Sequence, residues 1–126
     1  MHNGNAAFMH CPELDAEHYP PQSPFRSSRA GLTRRMLVSM GRFTGPGRQE
    51  APPERAGRDV LETFHTSEYL DAMIGAESGH LDVNALYMGI GTPDCPVFKD
   101  MYEFACLAVG ATLTGAQLIL DRDVRV

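Results

Sequence analysis

Gly91-Thr92-Pro93-Asp94-Cys95-Pro96-Val97-Phe98 is the most constrained run in this chain. Pro93 and Pro96 fix φ at their own positions, and each pushes the residue before it, Thr92 and Cys95, out of the α region. Gly89 and Gly91 just upstream permit backbone angles that other residues avoid. Asp94 is therefore presented on a stiffened loop. A rigid loop carrying one acidic side chain at its tip suits a binding rim. Downstream, Asp100-Met101-Tyr102-Glu103-Phe104 opens a long apolar helix that would hold the loop in place.

Spacing alone gives Asp94 a plainer role, an Asx-type turn with its carboxylate bonded to nearby backbone N–H groups. The Gly89-x-Gly91 pair also invites a phosphate-loop reading. That reading fails, because Asp94 stands where a third glycine belongs and a carboxylate there would repel phosphate.

The chain has 126 residues, enough for one small domain with a real core. Its 43% apolar and 21% charged content is that of an ordinary globular protein. A formal net charge of −5 argues against nucleic acid or an anionic membrane as the main partner, while the clustered arginines leave room for a local basic patch. Cys11, Cys95 and Cys106 form no CxxC pair and leave one over. Reduced thiols in a cytoplasmic protein fit better than a disulfide framework. No N-terminal segment combines a basic flank with an apolar core, so secretion is not indicated. Residues 104 to 120 are the most apolar stretch; broken by Gln117 and several Thr and Gly, and short for a membrane span, they read as a buried helix.

Upstream, Ala7-Phe8-Met9 reads as a short first strand. His10, Cys11 and His18 lack a fourth ligand at metal-site spacing and read as a locally packed or solvated set. Tyr19-Pro20-Pro21-Gln22-Ser23-Pro24 is an extended, proline-stiffened segment. Ser27 or Ser28 caps a helix running to about Met40, with Leu32, Met36 and Met40 in an apolar stripe beside Leu37, Arg34 and Arg35 facing solvent, and Gly41 as the stop. Arg29, in the first turn, reads as a surface arginine paired with a carboxylate. A strand falls between Gln49 and Arg55, held to a sheet edge by Pro52 and Pro53. Arg58 to His65 forms a short helix with Val60, Leu61 and Phe64 on one face. Thr66 caps the next helix, which has Glu68 in its first turn and Tyr69, Leu70 and Met73 at helical spacing. His65 has no Ser or Cys partner in view and reads as structural. Gly75 to Gly91 is a long connection delivering the chain to Asp94. The last helix, about Asp100 to Leu120, is dense in small residues from Gly110 to Ala116, which implies close packing against another element.

Three segments together carry a family resemblance. Gly91 to Phe98 followed by Met101-Tyr102-Glu103-Phe104 resembles the rim loop and following helix of class I-like histone deacetylases, within the zinc-dependent arginase/deacetylase superfamily. Phe64-His65-Thr66-Ser67-Glu68-Tyr69-Leu70 resembles that family's FHS/TxxYL segment. Ser23-Pro24-Phe25-Arg26-Ser27-Ser28-Arg29, leading into Leu32 to Leu37, resembles the start of its first helix, usually HPxKPxR. Here Gln22-Ser23-Pro24 replaces the family's GHP, and Ser27 its second proline. The resemblance covers about residues 19 to 120, and DCPVF is its most specific part.

The resemblance implies an α/β fold, the N-terminal part of a three-layer α/β/α domain with a parallel sheet, mainly helical over this stretch. Residues 1–126 are then an incomplete N-terminal portion of a deacetylase-like domain. In that family a zinc ion held by Asp, His and Asp polarises an acetyl carbonyl and a water, histidines move the protons, and a tyrosine steadies the oxyanion. Those residues lie downstream of the last helix, so this chain is expected to hold no catalytic residue and no metal ligand. By resemblance, Asp94 sits at the mouth of the substrate tunnel and accepts hydrogen bonds from substrate backbone N–H groups. Arg29 faces an internal cavity that leads acetate away, and Phe25 and Phe104 are its walls. The implied partners are an acetylated lysine protein or a small acetylated amine, and the remainder of the catalytic domain. Acetylpolyamine and acetoin-utilisation-type amidohydrolases share the fold with other substrates, and a non-catalytic interaction piece is the alternative from another class. Without most of its sheet the chain is expected to expose apolar helix faces and to depend on a partner for solubility.

Overall fold

The computed structural model describes residues 5–16 and 18–121. Strand β1, Ala6–Met9, leads into a single helical turn, α1, Pro12–Asp15, with Pro12 at its start, where a missing N–H costs nothing. Helix α2 runs from Arg29 to Ser39. Gly41 then takes φ +65°, and the N–H groups of Gly41 and Arg42 close back on the carbonyls of Val38 and Leu37 at 3.0 and 2.8 Å. This left-handed glycine termination satisfies two orphan carbonyls and stops the helix where Gly41 predicts. Strand β2, Arg48–Ala51, returns parallel to β1, pairing Ala6 with Arg48 and Met9 with Ala51. It ends before Pro52, which has no N–H for the ladder. The unit is βαβ in character, and the described residues form an α/β structure that is mainly helical around a two-stranded parallel sheet.

Helix α3 covers only Arg58–Leu61. Because the regular helix stops there, Phe64 leaves the face shared by Val60 and Leu61 and is 87% exposed, contrary to the expected apolar face. Leu61 packs instead with Ala56, Leu70 and Cys106 in one core cluster. Helix α4, Ser67–Glu77, begins where Thr66 Oγ1 accepts the N–H of Tyr69 at 3.3 Å. The expected long connection from Gly75 is shorter than its composition suggests. The helix α4 continues to Glu77, and α5, Val83–Tyr87, forms inside the stretch. Its cap is Asp82, whose carboxylate accepts the N–H of Ala85 at 2.8 Å. Ala76, Ala85 and Ile90 make a second core cluster beneath α4 and α5.

Helix α6, Met101–Leu120, is the longest element, and its 20 residues correct the expectation that this stretch is short for a span. It is also not the fully buried helix expected. Met101, Cys106 and Gly110 are buried, while Val109, Leu113, Ile119 and Leu120 are exposed. The small residues do serve close packing, and the partner is the irregular segment 54–56. Ala56 N–H donates to the Cys106 carbonyl at 3.1 Å, and Glu54 N–H to Thr114 Oγ1 at 2.9 Å. Between them, a Cβ on Gly110 would overlap the Glu54 carbonyl. On the other flank Tyr102 N–H donates to the Glu77 carboxylate at 3.0 Å, tying α6 to α4.

Helix α2 exposes its apolar stripe, as expected of a chain without most of its sheet. Leu32, Met36, Val38 and Met40 are all exposed, and buried Gly31 makes the contact, with Asp15 packed where its side chain would be. Arg35 faces solvent as expected, whereas Arg34 forms a two-pronged pair with Glu50 of β2, both contacts at 2.9 Å.

Candidate functional site

The rim is built from a tight turn. Cys95 N–H donates to the Thr92 carbonyl at 3.1 Å, and Gly91 N–H to the Cys95 carbonyl at 2.8 Å. Pro93 and Asp94 therefore occupy the two central turn positions, with proline in its favoured place. The Thr92 hydroxyl donates to the Gly89 carbonyl at 2.7 Å and accepts from Cys95 N–H at 3.3 Å. Gly89 and Gly91 take φ +89° and +85°, where a side chain would be strained, and a Cβ on Gly91 would meet Leu81 Cδ2 at 2.8 Å. The turn is thus locked by Thr92, and the Asx-type reading of Asp94 is corrected. Asp94 is exposed, and its carboxylate has no hydrogen-bond or ion-pair partner among the described residues. It is an acceptor held rigidly with its capacity unspent.

Behind the turn lies an aromatic cluster with Tyr19 at its centre. The Tyr19 ring sits 4.5 Å from Phe25, 4.6 Å from Phe98 and 5.8 Å from Phe104, and His18 lies 5.1 Å from Phe104. Phe98 ends the rim segment and Phe104 starts α6, so the cluster fastens the loop to the helix. Edge and tilted ring pairs of this kind are worth about 0.5–1.5 kcal/mol beyond their area. Phe25 and Phe104, expected on one cavity wall, are brought together here through Tyr19, although Phe25 is 47% exposed. Arg29 is not brought to them. It is exposed at the start of α2, and its guanidinium has no carboxylate partner among the described residues, so the expected surface ion pair is not formed.

Cys95 faces inward from the rim. The phenol pKa values of Tyr69 and Tyr19 are pushed up by burial first and by the neighbouring Cys95 thiol second. His65 stacks on Tyr69 with ring centres 4.9 Å apart and meets Phe64 edge-on, so the FHT segment braces Tyr69 under Cys95. Beside the rim a cleft of about 450 Å³ opens between Pro20–Pro24 and Gly91–Val97. Tyr19 and Thr92 are the residues that sequence reasoning missed. Tyr19 lies far from Phe98 along the chain, and only the fold makes it their hub.

Among the described residues nothing fits the zinc ion that the resemblance implies. Among the described residues no three His, Cys, Asp or Glu side chains gather to hold a metal. His10 Nε2 is engaged by Asp15 at 2.7 Å, and His18 Nε2 by the Glu13 carbonyl at 2.9 Å. Burial raises the Cys11 thiol pKa, the opposite of what a thiolate ligand requires.

Comparison with known proteins gives the family. The family model described as histone deacetylase domain matches residues 23–126. The acetoin utilization protein AcuC of Bacillus subtilis (strain 168) is 31% identical over 118 residues, which is 93% of this chain and 30% of AcuC. Histone deacetylase 8 of Xenopus laevis is 32% identical over 76 residues, 59% of this chain and 23% of that protein. Histone deacetylase clr6 of Schizosaccharomyces pombe (strain 972 / ATCC 24843) is 27% identical over 103 residues, 79% of this chain and 25% of that protein. The chain thus spans less than a third of the length of each of these relatives. On the match over residues 23–126, which takes in the rim turn, Phe25, Phe98 and Phe104 and the braced FHT segment, the chain belongs to the histone deacetylase family.

Proposed function

We propose that this chain supplies the substrate rim of a zinc-dependent deacetylase that hydrolyses acetyl-lysine amides, and that the zinc site and proton-transfer groups come from the remainder of a three-layer α/β/α domain. The observation that carries this reading is the unspent Asp94 carboxylate on a turn locked by Thr92 and anchored through Phe98. A rigid exposed carboxylate is matched to paired backbone N–H donors of an extended peptide. Charge-assisted hydrogen bonds of that type are worth about 1.5–3 kcal/mol each. Asp94 orients substrate and moves no proton. Phe25 and Phe104 form one wall of an internal cavity, and Arg29 faces that cavity once the rest of the domain covers the start of α2.

A second reading keeps the fold and changes the substrate. Similarity to AcuC extends over 93% of this chain, against 59% for histone deacetylase 8 of Xenopus laevis, which favours an acetoin-utilisation-type enzyme. The test is a deacetylation assay of the full-length polypeptide carrying this chain, comparing an acetyl-lysine peptide with a small acetylated amine. Preference for the peptide supports the rim reading. Preference for the small amine supports the second. Absence of both activities from zinc-loaded protein leaves the non-catalytic interaction role.

A further inference from the structure

Ser23 and Ser27 are the buried polar side chains among the described residues, at 8% and 5% exposure. Both hydroxyls are spent on backbone. Ser27 Oγ donates to the Ala16 carbonyl and accepts the His18 N–H at 3.3 Å, so it pins chain 11 and 9 residues upstream. Ser23 Oγ accepts the Phe25 N–H at 3.3 Å. Between the two serines, Arg26 closes the loop on itself. Its Nη1 donates to the carbonyls of Ser23 at 2.7 Å and Phe25 at 3.3 Å, and its Nη2 to that of Pro21 at 2.9 Å. One planar guanidinium spans three carbonyls, a spread that the point charge of a lysine cannot match. These bonds lie within the chain and do not depend on what covers its surface.

All three residues depart from the HPxKPxR pattern: Ser23 stands for its histidine, Arg26 for its lysine and Ser27 for its second proline. A proline at 27 would stiffen its own φ but has no side-chain group to bond Ala16 or His18. The Ser27 hydroxyl instead fastens the segment that enters the aromatic cluster. His18 lies 5.1 Å from Phe104, and Tyr19 lies 4.5 Å from Phe25 and 4.6 Å from Phe98. Ser27 thus holds the cluster at His18 and Tyr19, and Arg26 holds it at Phe25. The rings pass that restraint to Phe98, where the rim segment ends.

We propose that Ser27 and Arg26 are positioning residues for the substrate rim, and that through the Tyr19–Phe98 contact they set a preference for an extended acetyl-lysine peptide over a small acetylated amine. The inference rests on the rim reading of Asp94. A peptide offers flanking backbone N–H groups to a carboxylate that must be held still, and a small amine lacks them. The clamp therefore acts on peptide binding and leaves bond breaking to groups elsewhere.

The experiment is steady-state kinetics of the full-length polypeptide carrying this chain, on both substrates, with Ser27→Ala, Arg26→Lys and Asp94→Ala, singly and with each of the first two added to the third. Ser27→Ala and Arg26→Lys should each raise KM for the peptide about three- to tenfold at near-parent kcat, and leave kcat/KM for the small amine within about twofold. On the Asp94→Ala background neither should add a further loss, since both act through one contact. Circular dichroism checks folding, and if the buried Ser27→Ala misfolds, the exposed Arg26→Lys carries the same test. Equal losses on both substrates, a fall in kcat at constant KM, or losses that add to that of Asp94→Ala overturn the inference. Parent-like peptide kinetics beside an impaired Asp94→Ala overturn it and leave the rim reading standing. An Asp94→Ala variant equal to the parent brings down the rim reading and this inference with it.

Discussion

Thr92 and Cys95 close the rim turn on each other: the Cys95 N–H reaches the Thr92 carbonyl at 3.1 Å and the Thr92 hydroxyl at 3.3 Å. The hydroxyl is the only part of this arrangement that a side-chain change removes cleanly. Thr92→Val keeps the β-branched shape and deletes the bonds to Gly89 and Cys95. The expected loss is about 1 kcal/mol of stability. In the full-length enzyme kcat/KM should fall severalfold, because Asp94 is less well held. Urea unfolding and steady-state kinetics on the same preparations check both.

Gly110 is where α6 meets backbone. Replacing it with alanine drives a Cβ into the Glu54 carbonyl, and main chain cannot rotate away as a side chain does. Overpacking of this kind costs about 1–3 kcal/mol, whereas alanine at an open helix site would be favourable by up to about 1 kcal/mol. Gly110→Ala should therefore destabilise, and Gly115→Ala, whose Cβ would meet Met9 Cγ at an ordinary 3.6 Å, should not. Paired thermal melts read the difference.

Asp82 sustains α5. Asp82→Ala removes the acceptor for Ala85 N–H and should cost about 0.5–2 kcal/mol. Amide exchange should speed up over residues 83–90 and stay unchanged in α2, because Ile90 depends on α5 through its bond to the Ala85 carbonyl.

Acid should loosen the join between α3 and α4. Arg58 and then the Ser67 hydroxyl hold the Glu62 carboxyl below its ordinary pKa, and Arg58 also bridges to Asp71 at 2.7 Å. A depressed folded pKa stabilises above the unfolded value, and that contribution is lost as pH falls through the folded one. Glu62→Gln should thus lower Tm at neutral pH, and the gap from the parent should close below about pH 4. A gap that persists at pH 2 would mean that packing, not charge, is responsible.

Local chemistry was legible in the sequence wherever the deciding partner lies within a few residues. Thr66 caps α4 and Gly41 ends α2, because each acts on its own turn of chain, whereas the strand expected between Gln49 and Arg55 stops at Ala51, before the prolines. The stiff rim was legible for the same reason. The side chain that locks it was not, because Asp94 and Thr92 both suit such turns and geometry alone chooses Thr92. Asp82 was missed because the Gly and polar content around it hides a five-residue helix. The burial of α6 was misjudged for a different reason. Periodicity shows which face is apolar, but not whether anything within the chain covers it, and Leu120 remains exposed. Tyr19 and Phe98 meet only through the fold. Family resemblance supplied the role proposed for Asp94, which neither its spacing nor its exposure could.

The most direct test of the rim account is Asp94→Ala in the full-length polypeptide carrying this chain, assayed for kcat/KM on an acetyl-lysine peptide beside its unfolding free energy. Loss of hydrogen bonds worth about 1.5–3 kcal/mol predicts a fall of about tenfold to a hundredfold. Stability should stay within about 0.5 kcal/mol, because the carboxylate has no partner to lose. Unchanged kinetics would remove Asp94 from the substrate rim and contradict the account.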